Sequence, residues 1–288
     1  MTASGTSGYG DELAAYTDLG ALGAVVTKSL SPFRWEGNPA PRVVPADSGM
    51  VNAVGLQNPG VAAWREEQLP RLAAAGAAVV ASVWGRTVAD YAAAAAGLAD
   101  AELAAVEVNI SCPNLESADE MFAHSPAAAA AAVGAVVEGC GPTPVWAKLS
   151  PNAADVVPVA AAVLDAGADA VTLVNTLMAL AIDAETGKPA LGNVFGGLSG
   201  PAIRPVALRA VYDVRAALGP VPIVGVGGIA SAEHAVEFLS AGAVAVQVGT
   251  AGFADPRAAQ RIAAGLVRWC ERRGVGAVSE LVGRAHGE

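Results

Sequence analysis

Residues 109 to 114 read NISCPN and follow directly on the apolar run AAVEV, so Cys112 stands between Asn109 and Asn114 just beyond a strand-like segment. A thiol there can serve as a proton acceptor: its ordinary pKa of ~8.5 brings the thiolate within reach of a mildly alkaline or electropositive pocket. The competing reading is a small buried hydrophobe, the commonest fate of a free cysteine. Asn52, Asn109, Asn114 and Asn175 offer donors and acceptors together, as a flat heterocycle edged with N–H and C=O requires. Turn formation is the alternative for each of them, above all for Asn114 after a proline.

Lysine is scarce, with only Lys28, Lys148 and Lys188 in the chain, and the first two close apolar runs, AVVTK and VWAK. In a chain of net charge −10, cations placed in an apolar mouth are better motivated as partners for anionic ligand groups than as solubilising charges. Two late runs end in glycine turns, VGVGGI with Gly227 and Gly228 and VQVGT with Gly249 and Thr250, and each precedes a helix signal. Backbone amides at such turns form a phosphate cradle, and tight packing turns are the competing reading.

Those residues need strands to carry them. Four stretches, 19–29, 75–85, 166–176 and 241–250, repeat one unit: a glycine that can close a helix, a short apolar run, then small polar residues. Three more runs, 106–111, 145–150 and 222–228, are apolar almost throughout, as strands buried on both faces are. Helix starts fall between them at Thr87 with Asp90, Ser125-Pro126, Asn152 with Asp155, Ser231, and Asp255-Pro256, while Pro70 and Pro158 are expected to shift or kink their helices.

Seven strands alternating with helices predict parallel pairing through right-handed crossovers. The expected architecture is α/β, a (β/α)8 TIM barrel forming one domain over residues 1–288, with a doubly wound open sheet as the alternative. The eighth strand has a single candidate ahead of AVVTKS, the short TASGT at 2–6, so the N-terminal strand reads as truncated. Residues 30–60, rich in Pro and Gly, read as an ordered loop excursion over the top of the barrel. The polar strand tips then converge on one face, where active sites of such barrels sit.

The acidic balance and the absence of any Lys/Arg-rich run argue against nucleic acid and anionic membranes as partners. No stretch approaches ~18 uninterrupted apolar residues and the first residues lack the form of a signal peptide, so a cytoplasmic protein is expected. Three cysteines without paired spacing indicate neither a disulfide framework nor a metal site.

The motifs TKS (27–29), NAVGLQNPG (52–60), VNISCPN (108–114), AKLSPN (147–152), VNTL (174–177), GGLSGPAIRP (196–205), GVGGI (225–229) and VGTA (248–251) resemble, in that order and over nearly the whole chain, the class 1 dihydroorotate dehydrogenases. NISCPN and GGLSGPAI are the most specific of them; class 2 relatives use serine as the base, so Cys112 points to class 1. The stretch NTLMALAIDAETGKPALGN is similar to the subclass 1B catalytic subunits, which pair with an iron–sulfur, FAD-containing electron-transfer subunit and pass electrons to NAD.

The resemblance implies FMN held by Ser4, Lys28, Ser29, Asn109, Lys148, Val174, Gly200, Gly227, Gly228, Gly249 and Thr250, with the phosphate on the last four. Ser82 would join them, in a place where the family usually has asparagine. It places Lys148 against the flavin N1/O2 edge, where negative charge grows on reduction. It assigns dihydroorotate to Lys28, to Asn52, Ala53, Val54, Gly55 and Leu56, and to Asn109, Asn114, Asn175 and Thr176, with Cys112 removing the C5 proton as hydride leaves C6. A homodimeric core is the family expectation. Two rival functions stand beside it: a dihydropyrimidine oxidoreductase acting on uracil or thymine, and a non-catalytic flavin-binding subunit. His124, in a loop that departs from the family pattern, reads as a surface or partner-contact residue.

Overall fold

The computed structural model describes residues 1–111 and 121–287. All seven anticipated strands are present: β1 (Val25–Val26), β4 (Val79–Val83), β5 (Ala105–Asn109), β6 (Val145–Leu149), β7 (Ala170–Leu173), β10 (Ile223–Val226) and β11 (Ala245–Gln247). They form one curled parallel sheet in the order β1-β4-β5-β6-β7-β10-β11. Most of their residues are shielded on both faces, because helices cover one side and strand side chains fill the other.

Residues 1–3 meet both edges of this sheet. Thr2 N donates to Ala24 O at 3.2 Å, just before β1. On the other side Ala3 N donates to Val248 O at 3.0 Å and Val248 N to Met1 O at 2.9 Å, beyond β11. The Thr2 hydroxyl accepts from Val26 N at 3.0 Å and from Ser7 Oγ at 3.1 Å, so buried polar atoms at this seam are satisfied.

The helices are α1 (Val61–Glu67), α2 (Leu69–Ala74), α3 (Val88–Ala96), α4 (Pro126–Gly139), α5 (Val156–Asp165), α6 (Arg204–Leu218), α7 (Ala232–Ser240), α8 (Ala251–Ala254) and α9 (Ala258–Arg273). Thr87 and Asp90 form the anticipated capping box at α3, and Ser125 and Ser231 cap α4 and α7. Pro70 lies at the start of α2, and the helical run breaks between α1 and α2 at Gln68. Pro158 produces no kink, since it falls in the first turn of α5, where its missing N–H has no acceptor to lose. Small residues let α3 and α4 approach closely: a Cβ on Gly139 would lie 2.7 Å from the Ala95 methyl, and Ala94, Ala95, Ala129 and Ala132 are fully buried. Trp64, Tyr91, Phe122 and Phe238 are the largest side chains of the core, each worth about 1.5–3 kcal/mol of apolar burial.

Two further expectations are corrected. Residues 30–60 are not a loop excursion alone: they contain a hairpin of β2 (Val43–Ala46) and β3 (Gly49–Asn52). It pairs with a second hairpin, β8 (Leu177–Leu180) and β9 (Phe195–Ser199), in a four-stranded antiparallel sheet of order β2-β3-β9-β8. Asn152 does not open a helix either. Asp155 caps α5, accepting from Val157 N, whereas Asn152 donates to Thr176 O at 3.1 Å and accepts from Met178 N at 2.8 Å. It ties the loop after β6 to the root of β8 because its short amide spans that gap with a donor and an acceptor at once.

Candidate active site

A cavity of about 690 Å³ opens at the C-terminal ends of the parallel strands, with the antiparallel sheet as its second wall. Its size suits a small-molecule or cofactor site. Its floor is a chain of side-chain hydrogen bonds. Asn175 Nδ2 donates to Asn109 Oδ1 at 3.1 Å, and Asn109 Nδ2 donates to Ser29 Oγ at 3.1 Å. Ser29 Oγ lies 2.9 Å from Ser82 Oγ and 3.4 Å from Ser4 Oγ. The backbone of Asn109 is held from behind by the Tyr91 hydroxyl of α3, which donates to Asn109 O at 2.8 Å, and Tyr91 is itself packed edge-to-face on Phe122. Helix packing thus fixes the tip of β5.

One cation stands in the floor and one in the wall. Lys148, register partner of Asn109 on β6, is almost fully buried, and its Nζ lies 3.3 Å from Glu107 Oε1. Lys28 follows β1 and donates through Nζ to Gln57 O at 2.7 Å, with the ammonium 5.4 Å from the centre of the Tyr9 ring. Burial, and secondarily the like charge of Arg42, lower the Lys28 pKa to about 8. Arg42 is anchored to Glu36 O at 3.0 Å and to the Gln57 side chain, so this like charge is fixed in place. Tyr9, whose hydroxyl donates to Gln57 O, has its pKa raised by burial and by the Glu12 carboxylate.

At the opposite end the chain turns away from the cavity on glycines. Gly227 and Gly228 follow β10 with φ of +134° and +71°, a backbone region that side chains rarely adopt. A Cβ on Gly228 would lie 2.7 Å from Gly200 O. The N–H groups of Gly228, Gly249 and Thr250 find no acceptor among the described residues, and all three residues line the cavity. Free amides converging on a polar end of a cavity can hold an anion such as a phosphate. Thr250 Oγ1 and Ser199 Oγ, 2.9 Å apart, add hydroxyls beside them.

The cavity gathers most of the residues singled out from the sequence. Ser4, Lys28, Ser29, Asn109, Lys148, Val174, Gly200, Gly227, Gly228, Gly249 and Thr250 line it, as do Asn52, Ala53, Val54, Gly55, Leu56, Asn175 and Thr176. Ser82 does not: it is fully buried one layer below, where its hydroxyl supports Ser29. Cys112 and Asn114 lie outside the described residues, between Ser111 and Met121, which both line the cavity.

Several lining residues carry no signal in the strand tips. Asn38, Met50, Asn193 and Phe195 come from the antiparallel sheet and its loops, and Phe253 from the short α8. Glu107 is missed too, a lone acid within an apolar strand. Among the described residues no group of three or more His, Cys, Asp or Glu could hold a metal ion, and no helix is long and apolar enough to cross a membrane.

The family model described as dihydroorotate dehydrogenase matches residues 1–269. A protein of Pelobacter propionicus named dihydroorotate dehydrogenase B (NAD(+)), catalytic subunit, is 51% identical over 287 residues, covering 98% of this chain and 93% of its own length. Proteins of the same name from Geotalea daltonii and Desulforudis audaxviator are each 50% identical, covering 98% and 99% of this chain and 92% and 93% of their own lengths. With a family match over most of its length and half its residues shared with these relatives, the chain belongs to the dihydroorotate dehydrogenase family, in its class 1B catalytic-subunit branch.

Proposed function

We propose that the chain oxidises (S)-dihydroorotate to orotate in pyrimidine (UMP) biosynthesis, with FMN as its cofactor and an iron–sulfur, FAD-containing subunit as the partner that carries electrons on to NAD. The relatives' names support a partner, since they are called catalytic subunits of an NAD(+)-linked enzyme. We read the scaffold as a closed (β/α)8 barrel in one domain, residues 1–3 supplying the eighth strand, because they bond to both edges of the curled sheet.

The cavity's chemistry fits a flavin mononucleotide. Amides at Gly228, Gly249 and Thr250 that find no acceptor among the described residues suit its phosphate, and the floor offers Ser29, Asn109 and Lys148 to a polar ring edge. When bound, FMN supplies the acceptor for the hydride from C6. Lys28 would hold the substrate carboxylate, with the 52–56 segment closing over it, and Asn109, Asn175 and Thr176 would meet the pyrimidine edge. Cys112 would take the C5 proton. The amide-to-amide bond between Asn175 and Asn109 orients both groups before a ligand arrives, which lowers the entropic cost of aligning the ring.

The single observation that carries this reading is the convergence of Lys28, Lys148, Asn109 and Asn175, from four different strand tips, in one cavity. Its test is anaerobic mixing of the flavin-loaded protein with dihydroorotate and, separately, with dihydrouracil. Bleaching of the flavin's visible absorption by dihydroorotate alone supports it. Bleaching by dihydrouracil alone assigns the rival substrate, and a purified protein that takes up no FMN sinks the reading.

A further inference from the structure

Glu107 belongs to β5 two residues before Asn109, so both side chains point to the interior face of the sheet, the glutamate one layer deeper. It is completely buried, and three donors from three other strands converge on it. Lys148 Nζ of β6 approaches Oε1 at 3.3 Å. Thr172 Oγ1 of β7 and Gln247 Nε2 of β11 donate to Oε2 at 3.2 Å and 2.7 Å. Gln247 presents its amide to this carboxylate while its own buried Oε1 has no partner among the described residues. That arrangement is costly in a core where apolar side chains of similar volume would serve folding equally well. What sets it apart is its place directly beneath the floor cation of the cavity.

We propose that Glu107 is a positioning residue for the site: it fixes the Lys148 ammonium at the cavity floor and offsets part of that charge, thereby setting the reduction potential of the bound flavin. The inference rests on the flavin reading above. A buried cation beside a flavin favours the reduced form, on which negative charge accumulates, and an adjacent carboxylate in the same low-dielectric interior moderates the pull. Thr172 and Gln247 hold the carboxylate, the carboxylate holds the ammonium, and the ammonium meets the ligand.

The test is a redox titration of the flavin bound to wild type, Glu107→Gln and the Glu107→Gln/Lys148→Met double variant, with Lys148→Met as the reference for the latter. Glu107→Gln keeps the shape and removes the negative charge, so the flavin midpoint should rise by a tenfold or greater shift toward the reduced form, ~30 mV for a two-electron couple. The same substitution made in the Lys148→Met background should move the midpoint by a clearly smaller amount. An unchanged or lowered midpoint in Glu107→Gln overturns the proposal, as does an equal shift with Lys148 absent. If Glu107→Gln does not fold, Glu107→Asp, which draws the charge back by one methylene, should give a smaller rise, and no rise overturns the proposal. A wild type that binds no flavin overturns the cofactor reading and this one with it; a flavin-loaded wild type with variants of unchanged potential overturns this one alone.

Discussion

Asn175 Nδ2 donates to Asn109 Oδ1 at 3.1 Å, joining the tips of two strands, β7 and β5, that have β6 between them. Both heavy atoms of each amide are engaged in the floor, Asn109 Nδ2 donating to Ser29 Oγ and Asn175 Oδ1 accepting from Thr176 N, so the two groups enter the cavity already aimed. Asn175→Leu should weaken orotate binding on the order of 10-fold, the value of about one buried hydrogen bond and a loosened neighbour. Titration calorimetry checks it, and unchanged affinity would remove these amides from the substrate site.

Lys28 gives a pH signature. Burial and Arg42 lower its pKa to about 8, so the ammonium that would bind a carboxylate is lost as pH rises through that value. Orotate affinity should fall across the same range, and Arg42→Gln should move the fall to higher pH by removing the like charge. The linkage to folding has the opposite sense. The unfolded chain keeps the Lys28 proton up to the ordinary ~10.4, so between about 8 and ~10.4 the unfolded state binds more protons and this residue's contribution to stability rises with pH. An orotate affinity that is flat from pH 7 to 9 would remove Lys28 from carboxylate binding.

Cys112→Ala should leave bound flavin in place while lowering turnover with dihydroorotate by 10²-fold or more, the usual share of a general base. In the wild type the rate of flavin reduction should climb with pH through the thiol range. Stopped-flow reduction under anaerobic conditions measures both, and near-normal rates in Cys112→Ala would assign the base elsewhere.

Gly228→Ala should empty the anion end of the cavity. The new methyl would sit 2.7 Å from Gly200 O, on a backbone with φ of +71°, a combined strain of about 1–3 kcal/mol. Flavin retention after gel filtration reads the outcome, and a fully loaded variant would place the phosphate somewhere else.

The parallel sheet was legible because a strand buried on both faces is apolar almost throughout, and runs such as VVASV and the segment before Asn109 carry that mark. Glycines and lysines at strand tips were legible for a related reason, since each departs sharply from the run it ends. The antiparallel sheet left no such trace. β2 contains Pro45, β9 is FGGLS, and β8 alternates half-buried with exposed residues, so none of them reads as a strand against its flanks. Their partners also lie far away in sequence, Met50 opposite Ser199 and Asn52 opposite Gly197. Glu107 escaped notice because one acid in an apolar run looks like the wet side of a strand; only the curling of the sheet around it turns that position inward. Asn152 looked like a helix cap for want of any local sign of its contacts with Thr176 and Met178.

The pairing of β3 with β9 couples two arms of the chain that leave the parallel strands more than a hundred residues apart. Asn52 Nδ2 strengthens the bond by donating to Gly197 O at 3.1 Å. Neither hairpin can peel back alone without breaking a ladder of backbone hydrogen bonds. Any displacement of this wall of the cavity that keeps the ladder intact must carry both hairpins together as one plate.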